Sequence, residues 1–373
     1  KVVRAADFSA SALAPDQIVV LERVPDDIPP VAGIVSAVPQ TALAHVNLLA
    51  KARGTPNAYV AGIFQWSQLH DWEYLSRRVI LKVTPDAATW KAISIEQYNA
   101  WRALVTPPDR TIAQVADLAH APYVVSVTDG GLPERRALVP LIGGKCAGLL
   151  GFQEVAGMTT PDTPLALTIR GYAEHFASLE PTVAAVLQQS EFKADARARY
   201  LVLEGEEAFR AANTDAPTLS WLEGFLSAHQ GDVLGDVIAQ GGVKAMVQDK
   251  PIDPAYLAAI RGALEQRFTA LSPTQGLRFR SSATAEDVVG FNGAGLYVSN
   301  TGFLYPEAQA KPKDRVRTID KAIQATWGSY WGFAAFEERR IGGIAHLTGR
   351  MAVLVHPRFD DDKEAANGVV TYY

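Results

Sequence analysis

Short apolar runs alternate along this chain with longer stretches whose apolar residues recur at helical spacing. Residues 17 to 25, Gln-Ile-Val-Val-Leu-Glu-Arg-Val-Pro, read as a buried strand, and Ala32-Gly33-Ile34-Val35-Ser36 as a second after a proline-rich turn. From Ala42 to Arg53 the spacing becomes helical, with Val46, Leu49 and Ala50 on one face and Gly54 where a left-handed cap would fall. Asn57 to Ala61 and Val79 to Val83 return to strand character, and Thr106-Pro107-Pro108-Asp109 breaks the pattern, so a domain boundary is placed near residue 115.

A second unit opens on the strand Tyr123 to Val127, runs through Gly143-Gly144-Lys145 into a helix, and is strongly helical from about Pro181 to Leu271. Asp253-Pro254 marks a helix start, Asp as cap and Pro at the first helical position. Leu277 to Ser281 alternates like a strand. The spacing predicts one helix over Arg315 to Arg340, with Val316, Ile319, Ile323, Trp327 and Tyr330 on its apolar face and an end at Gly342-Gly343. Strands and helices in this mixture predict a two-domain α+β architecture.

Composition narrows the function classes. With 373 residues, 48% hydrophobic and 20% charged, the chain has material for two or three cores. A net charge of -5 from interspersed acids and bases provides no basic field for nucleic acid. No apolar stretch approaches the roughly 20 residues needed to cross a bilayer. The single cysteine, Cys146, forms no internal disulfide and fits a reducing cytoplasm. A first residue of Lys and a strand-like final segment, Asn367 to Tyr373, lead to the expectation that this is an excerpt of a longer chain.

Three segments carry candidate chemistry, each with a plainer alternative, and two more are singled out beside them. His45 falls at a helix N-terminus, where free N–H groups and the helix dipole favour a negative charge beside a nucleophilic imidazole; otherwise it caps or packs. Gly143-Gly144-Lys145 lets the backbone approach a phosphate beside an ammonium group, or is a turn with a solvated lysine. Arg280, at the end of a strand, offers a fork of donors for phosphate oxygens, or pairs with Glu286 or Asp287. Phe291 to Ser299, with Gly293 and Gly295, suits a glycine-containing hairpin turn. Met351 to His356 reads as a buried strand ending at Pro357.

These segments also carry a resemblance. Ala32-Gly33-Ile34-Val35 and Ala44-His45-Val46-Asn47-Leu48-Leu49-Ala50-Lys51-Ala52-Arg53-Gly54-Thr55-Pro56-Asn57-Ala58 resemble the swivelling phosphohistidine domain of the phosphoenolpyruvate synthase and pyruvate phosphate dikinase family. Leu43 and Ala44 stand where that family usually has Thr-Ser, and Leu-Ala-His-Val is similar to the Leu-Ser-His-Val of the glucan, water dikinase branch, which shares this domain order. Ile142 to Leu149 resembles the Gly-Gly-Lys-Asn-Ala-Ser-Leu opening of the family's ATP-grasp domain. Arg278 to Asp287 resembles its Arg-Ser-Ser-Ala-Thr-Ala-Glu-Asp signature, Phe291 to Ser299 its Phe-Ala-Gly loop, and Met351 to His356 its adenine-lining Met-Ala-Val-Val-Val-Gln strand, with His356 for the glutamine.

The resemblance implies a swivelling β/α phosphohistidine domain over residues 1–115 and an ATP-grasp-type nucleotide-binding domain over residues 116–373, its first lobe holding a helical insertion and its C-terminus truncated. It further implies a cytoplasmic phosphotransferase that uses ATP and magnesium, with the metal ligands beyond Tyr373. His45 would carry the phosphoryl group and Arg280 would stabilise it. Gly143, Gly144, Lys145, Arg280, Gly295, Ser299 and His356 would bind ATP, and the acceptor would be pyruvate, a glucan or another small molecule. Two other readings stay open: a non-catalytic nucleotide-binding or regulatory module, and a small-molecule kinase without a phosphohistidine.

Overall fold

The structure is a computed structural model that describes residues 2–5, 13, 16–25, 28–41, 44–74, 78–105, 110–127, 132–152, 160–161, 163–286, 288, 291, 293 and 295–359. The break at Thr106 to Asp109 and the segment after Phe359 lie outside the described residues. The architecture mixes helix and sheet.

Four strands, β1 (Val2–Ala5), β2 (Ile18–Leu21), β3 (Gly33–Ser36) and β4 (Asn57–Tyr59), form a parallel sheet in that order. The unbroken apolar run of β2 follows from its place inside the sheet, where both faces are buried. On one face Val19, Leu21 and Ile34 pack with Val46, Leu49 and Ala50 of the helix His45–Arg53, the three positions its spacing singled out. That helix is the crossover between β3 and β4, and it stops at Gly54 in the left-handed conformation (φ 66°). On the other face Ile18, Val20 and Val35 meet Ile63, Leu69, Val79 and Leu81, the last two from the antiparallel pair β5 (Val79–Val83) and β6 (Ala88–Ala92).

A second sheet is antiparallel and gathers distant segments. It contains β7 (Val124–Ser126), β8 (Leu165–Leu167), β9 (Leu277–Ala283), β10 (Asn300–Gly302) and β11 (Met351–Pro357), in the order β10-β9-β11-β8-β7. One face of it receives a helix, Leu132–Phe152, through Ile142, Cys146 and Ala147 against Ala166 and Leu354. The opposite face, with Phe279, Val353 and Val355, forms one large core with the helices between residues 169 and 267 and with Trp327, Tyr330 and Trp331. Among the described residues no helix is long and apolar enough to cross a membrane.

The helix starting at Pro254 is capped as its sequence indicates, Asp253 Oδ1 accepting from the Tyr256 N–H at 2.9 Å. Asp253→Ala is expected to cost about 1 kcal/mol, the usual worth of such a cap. A denaturant midpoint unchanged from wild type would contradict that account.

The helix predicted over Arg315 to Arg340 is instead divided into Pro312–Arg315, Ile319–Gly328 and Phe333–Ile341. Thr318 starts the second piece in extended backbone, and Gly332, also extended, starts the third. Val316, expected on the apolar face, is 59% exposed because it lies at the end of the first short turn. The divisions let Trp327, Tyr330 and Trp331 all enter the core, where Trp331 donates its indole N–H to the Tyr172 hydroxyl at 2.9 Å.

Candidate functional site

The site begins with a kink. The helix Leu132–Phe152 contains Pro140, and at Gly143 its backbone leaves the helical region (φ 71°, ψ 162°). A kink frees helical carbonyl and amide groups that must find other partners. The Ser282 hydroxyl of β9 supplies both, donating to the Ile142 carbonyl at 2.7 Å and accepting from the Cys146 N–H at 3.0 Å. Contact is so close that a Cβ on Gly143 would stand 2.2 Å from the Ser282 carbonyl oxygen. The glycine is therefore required by backbone conformation and by space together.

This stitch fixes Lys145 against the end of β9. Its ammonium lies 3.3 Å from the Ser281 hydroxyl and 3.2 Å from Glu286 Oε1. Glu286 is set in the turn after the strand, its N–H donating to the Ala283 carbonyl at 3.1 Å, and Gly293 packs directly on it. The carboxylate beside Glu286 in sequence, Asp287, lies outside the described residues, as do Asn292 and Ala294 of the following loop. Glu286 thus pairs with Lys145, and among the described residues it forms no ion pair with Arg280; the alternative partner Asp287 lies outside them.

Arg280 and His356 project from one sheet face. Arg280 pairs with Leu354 across the ladder and Arg278 with His356. Arg280 is exposed and has no hydrogen-bond or ion-pair partner among the described residues. His356 is only 3% exposed; its Nδ1 is 2.8 Å from the Pro357 carbonyl and its Nε2 has no hydrogen-bond partner among the described residues. Burial holds the imidazole pKa below its usual value, against the pull of that carbonyl, and the charges of Arg280 and Arg278 add to the effect.

The two other positions expected in the loop are less engaged. Gly295 is exposed in a left-handed conformation (φ 82°), and Ser299 is half-buried immediately before β10. Between them the side chain of Tyr297 is buried, and its hydroxyl accepts from Arg339 Nη1 at 3.4 Å. Burial raises the pKa of that phenol. Arg339 itself is fully buried, with its guanidinium carbon 3.7 Å from the centre of the Tyr330 ring.

His45 is the first residue of its helix, as expected. The preceding Ala44 serves as the N-cap without a side-chain hydrogen bond, and its N–H donates to the Thr41 carbonyl at 3.0 Å. Nearby amides hold the entry to the helix: Asn57 and Gln40 exchange hydrogen bonds at 2.9 and 3.0 Å, while Asn47 donates to the Thr41 carbonyl at 2.5 Å. At the far end Arg53 donates to the Ile28 carbonyl at 2.6 Å and forms an ion pair with Glu338 of the helix Phe333–Ile341.

Of the sequence candidates, then, Gly143 and Lys145, on either side of Gly144, meet Ser281, Ser282 and Glu286, and Arg280 shares a sheet face with His356. The serines were inside a recognised motif without a role. Two consecutive hydroxyls at buried positions of a strand are the signal that marks them, because buried hydroxyls need partners. Nothing in the sequence marks Tyr297 or Arg339. The chain matches no family model and no curated protein.

Proposed function

We propose that this chain is the phosphohistidine and nucleotide-binding portion of an ATP-dependent, dikinase-type phosphotransferase, residues 1–115 carrying His45 and residues 116–373 the nucleotide site. The observation that supports it most is the meeting of Lys145 with Ser281 and Glu286, since two segments 136 residues apart, each resembling a different part of one nucleotide site, lie in contact. A cation fixed at Ser281, one residue along the strand from Arg280, which is exposed and has no ion-pair partner among the described residues, suits a phosphate chain.

In this reading a neutral imidazole nitrogen of His45 takes a phosphoryl group from ATP. An N–P bond forms as a P–O bond of the phosphate chain breaks, and the group then passes to an acceptor such as pyruvate or a glucan. Lys145 and Arg280 offset the charge that gathers on the transferring oxygens. Magnesium would supply further charge neutralisation, but its ligands are not assigned: among the described residues no three His, Cys, Asp or Glu side chains cluster to hold an ion.

A regulatory module that binds nucleotide without transfer is the second reading, favoured by Ala44, which offers no side-chain hydrogen bond at the helix start. One labelling experiment separates them. With magnesium and ATP labelled at the β- or γ-phosphate, wild type is expected to gain an acid-labile label that His45→Ala lacks entirely. Nucleotide binding with no label on either protein would favour the regulatory module. Acid-stable label on a small molecule would indicate a kinase without a phosphohistidine.

A further inference from the structure

We propose that Arg278 and Arg358 form a second anion subsite beside Arg280, which takes a phosphate group of the bound ligand. This extends the nucleotide reading, in which Arg278 and Arg358 had no part.

The sheet register places these groups together. Directly paired residues of an antiparallel ladder project to the same face, and so do alternate residues along a strand. Arg278 is paired with His356. The Arg358 N–H donates to the Gly276 carbonyl at 2.8 Å, so the ladder continues one pair beyond β11 and Arg358 follows His356 on the same face. Arg278, Arg280, His356 and Arg358 therefore share one face, on which the kinked helix packs at Ala166 and Leu354.

Two further observations point to a ligand there. Among the described residues Arg278 has no carboxylate partner; its one hydrogen bond goes to the Thr301 hydroxyl at 3.1 Å. Burial and then the neighbouring Arg280, Arg358 and Arg317 disfavour its charge, which Arg278 nonetheless keeps, so an anion would relieve repulsion already present. Second, His356 donates from Nδ1 to the Pro357 carbonyl, which leaves Nε2 as a buried acceptor with no hydrogen bond among the described residues. A phosphate ester that carries a hydroxyl or amino group would satisfy both the arginines and that acceptor, and a nucleotide has these parts. Arg278 and Arg280 are two residues apart on the strand, about 7 Å between Cα atoms, within reach of neighbouring phosphates of one chain.

The test is calorimetric titration of the whole chain with pyrophosphate and, separately, with ATP. Arg278→Ala and Arg358→Ala are compared with wild type and with Arg210→Ala, a surface arginine elsewhere whose loss changes net charge equally. Each subsite variant is expected to bind pyrophosphate at least about tenfold more weakly, the usual consequence of losing one charge-assisted hydrogen bond, while Arg210→Ala binds as wild type does. Thermal melts show that the variants are folded, and Arg358, beyond the strand end, gives a result even where Arg278→Ala does not fold. Subsite variants that fold and bind pyrophosphate like wild type would overturn the proposal, as would wild type failing to bind it. Label on His45 with unchanged pyrophosphate affinity in the variants would leave the phosphotransfer reading standing alone. Weakened pyrophosphate binding without any label on wild type would do the reverse.

Discussion

Gly143→Ala is expected to destabilise the chain by about 3–5 kcal/mol and, on the proposed function, to abolish nucleotide binding. The backbone there (φ 71°, ψ 162°) lies in a region that is essentially open only to glycine, at a cost of about 1–3 kcal/mol for other residues. The added methyl would also stand 2.2 Å from the Ser282 carbonyl oxygen and 2.6 Å from its hydroxyl. These belong to a central strand, so the helix must move instead, breaking the two hydrogen bonds that Ser282 makes across the kink. Each buried bond is worth about 1 kcal/mol, and Lys145, two residues on, moves with them. Gly148→Ala is the control, because a Cβ there meets nothing within 4 Å and the helix there is regular. It should be neutral or slightly stabilising. Denaturant unfolding that found Gly143→Ala as stable as wild type would remove the argument for a kink held by close approach.

Much of the local structure was legible in the sequence because local rules govern it. Gly54 ends its helix in the left-handed conformation that glycine alone adopts cheaply, and Asp253-Pro254 caps a helix as those residue types do in isolation. The apolar runs of β2 and β11 are buried strands for the reason their composition states. What was not legible depends on distance or on competing signals. Gly143-Gly144-Lys145 read as the lead into a helix, whereas the helix already runs from Leu132 and Ser282 bridges the break at Gly143, so that helix continues on both sides. The aromatic spacing from Trp327 to Tyr330 continues a helical pattern through Gly328 and Gly332, so the breaks there were hidden by residues chosen for packing. Within the site, the Gly-Gly-Lys and Arg-Phe-Arg-Ser-Ser segments were recognisable separately. Their contact, and the choice of Lys145 over Arg280 as the partner of Glu286, follow from the order of strands in a sheet assembled from residues 124 to 357.

The second large effect is expected at Glu337, and it shows how burial decides the worth of an ion pair. Glu337 is 1% exposed; its carboxylate receives Arg199 Nε at 2.6 Å and Arg340 Nη2 at 2.6 Å. Arg199 is 4% exposed and also donates to the carbonyls of Phe192 and Lys193 at 3.1 and 2.9 Å. Glu337→Ala therefore leaves a guanidinium in the core with its main counter-charge gone, which is expected to cost about 3–5 kcal/mol. By contrast the pair of Arg210 with Glu223, 40% and 63% exposed, should contribute less than about 1 kcal/mol. Salt separates the two cases further, since screening reaches the exposed pair and hardly the buried one. Replacing both partners, Arg199→Met with Glu337→Leu, should recover part of the loss, because no charge is then stranded. The neighbouring residues of the same helix give the loss a functional side: Glu338 holds Arg53 of the His45 helix and Arg339 holds Tyr297 beside the candidate nucleotide loop. A helix loosened at Glu337 should therefore weaken the proposed nucleotide binding as well as stability. Unfolding within about 1 kcal/mol of wild type for Glu337→Ala would mean that Arg199 finds another counter-charge, and the helix would then lose its place as the link between the two.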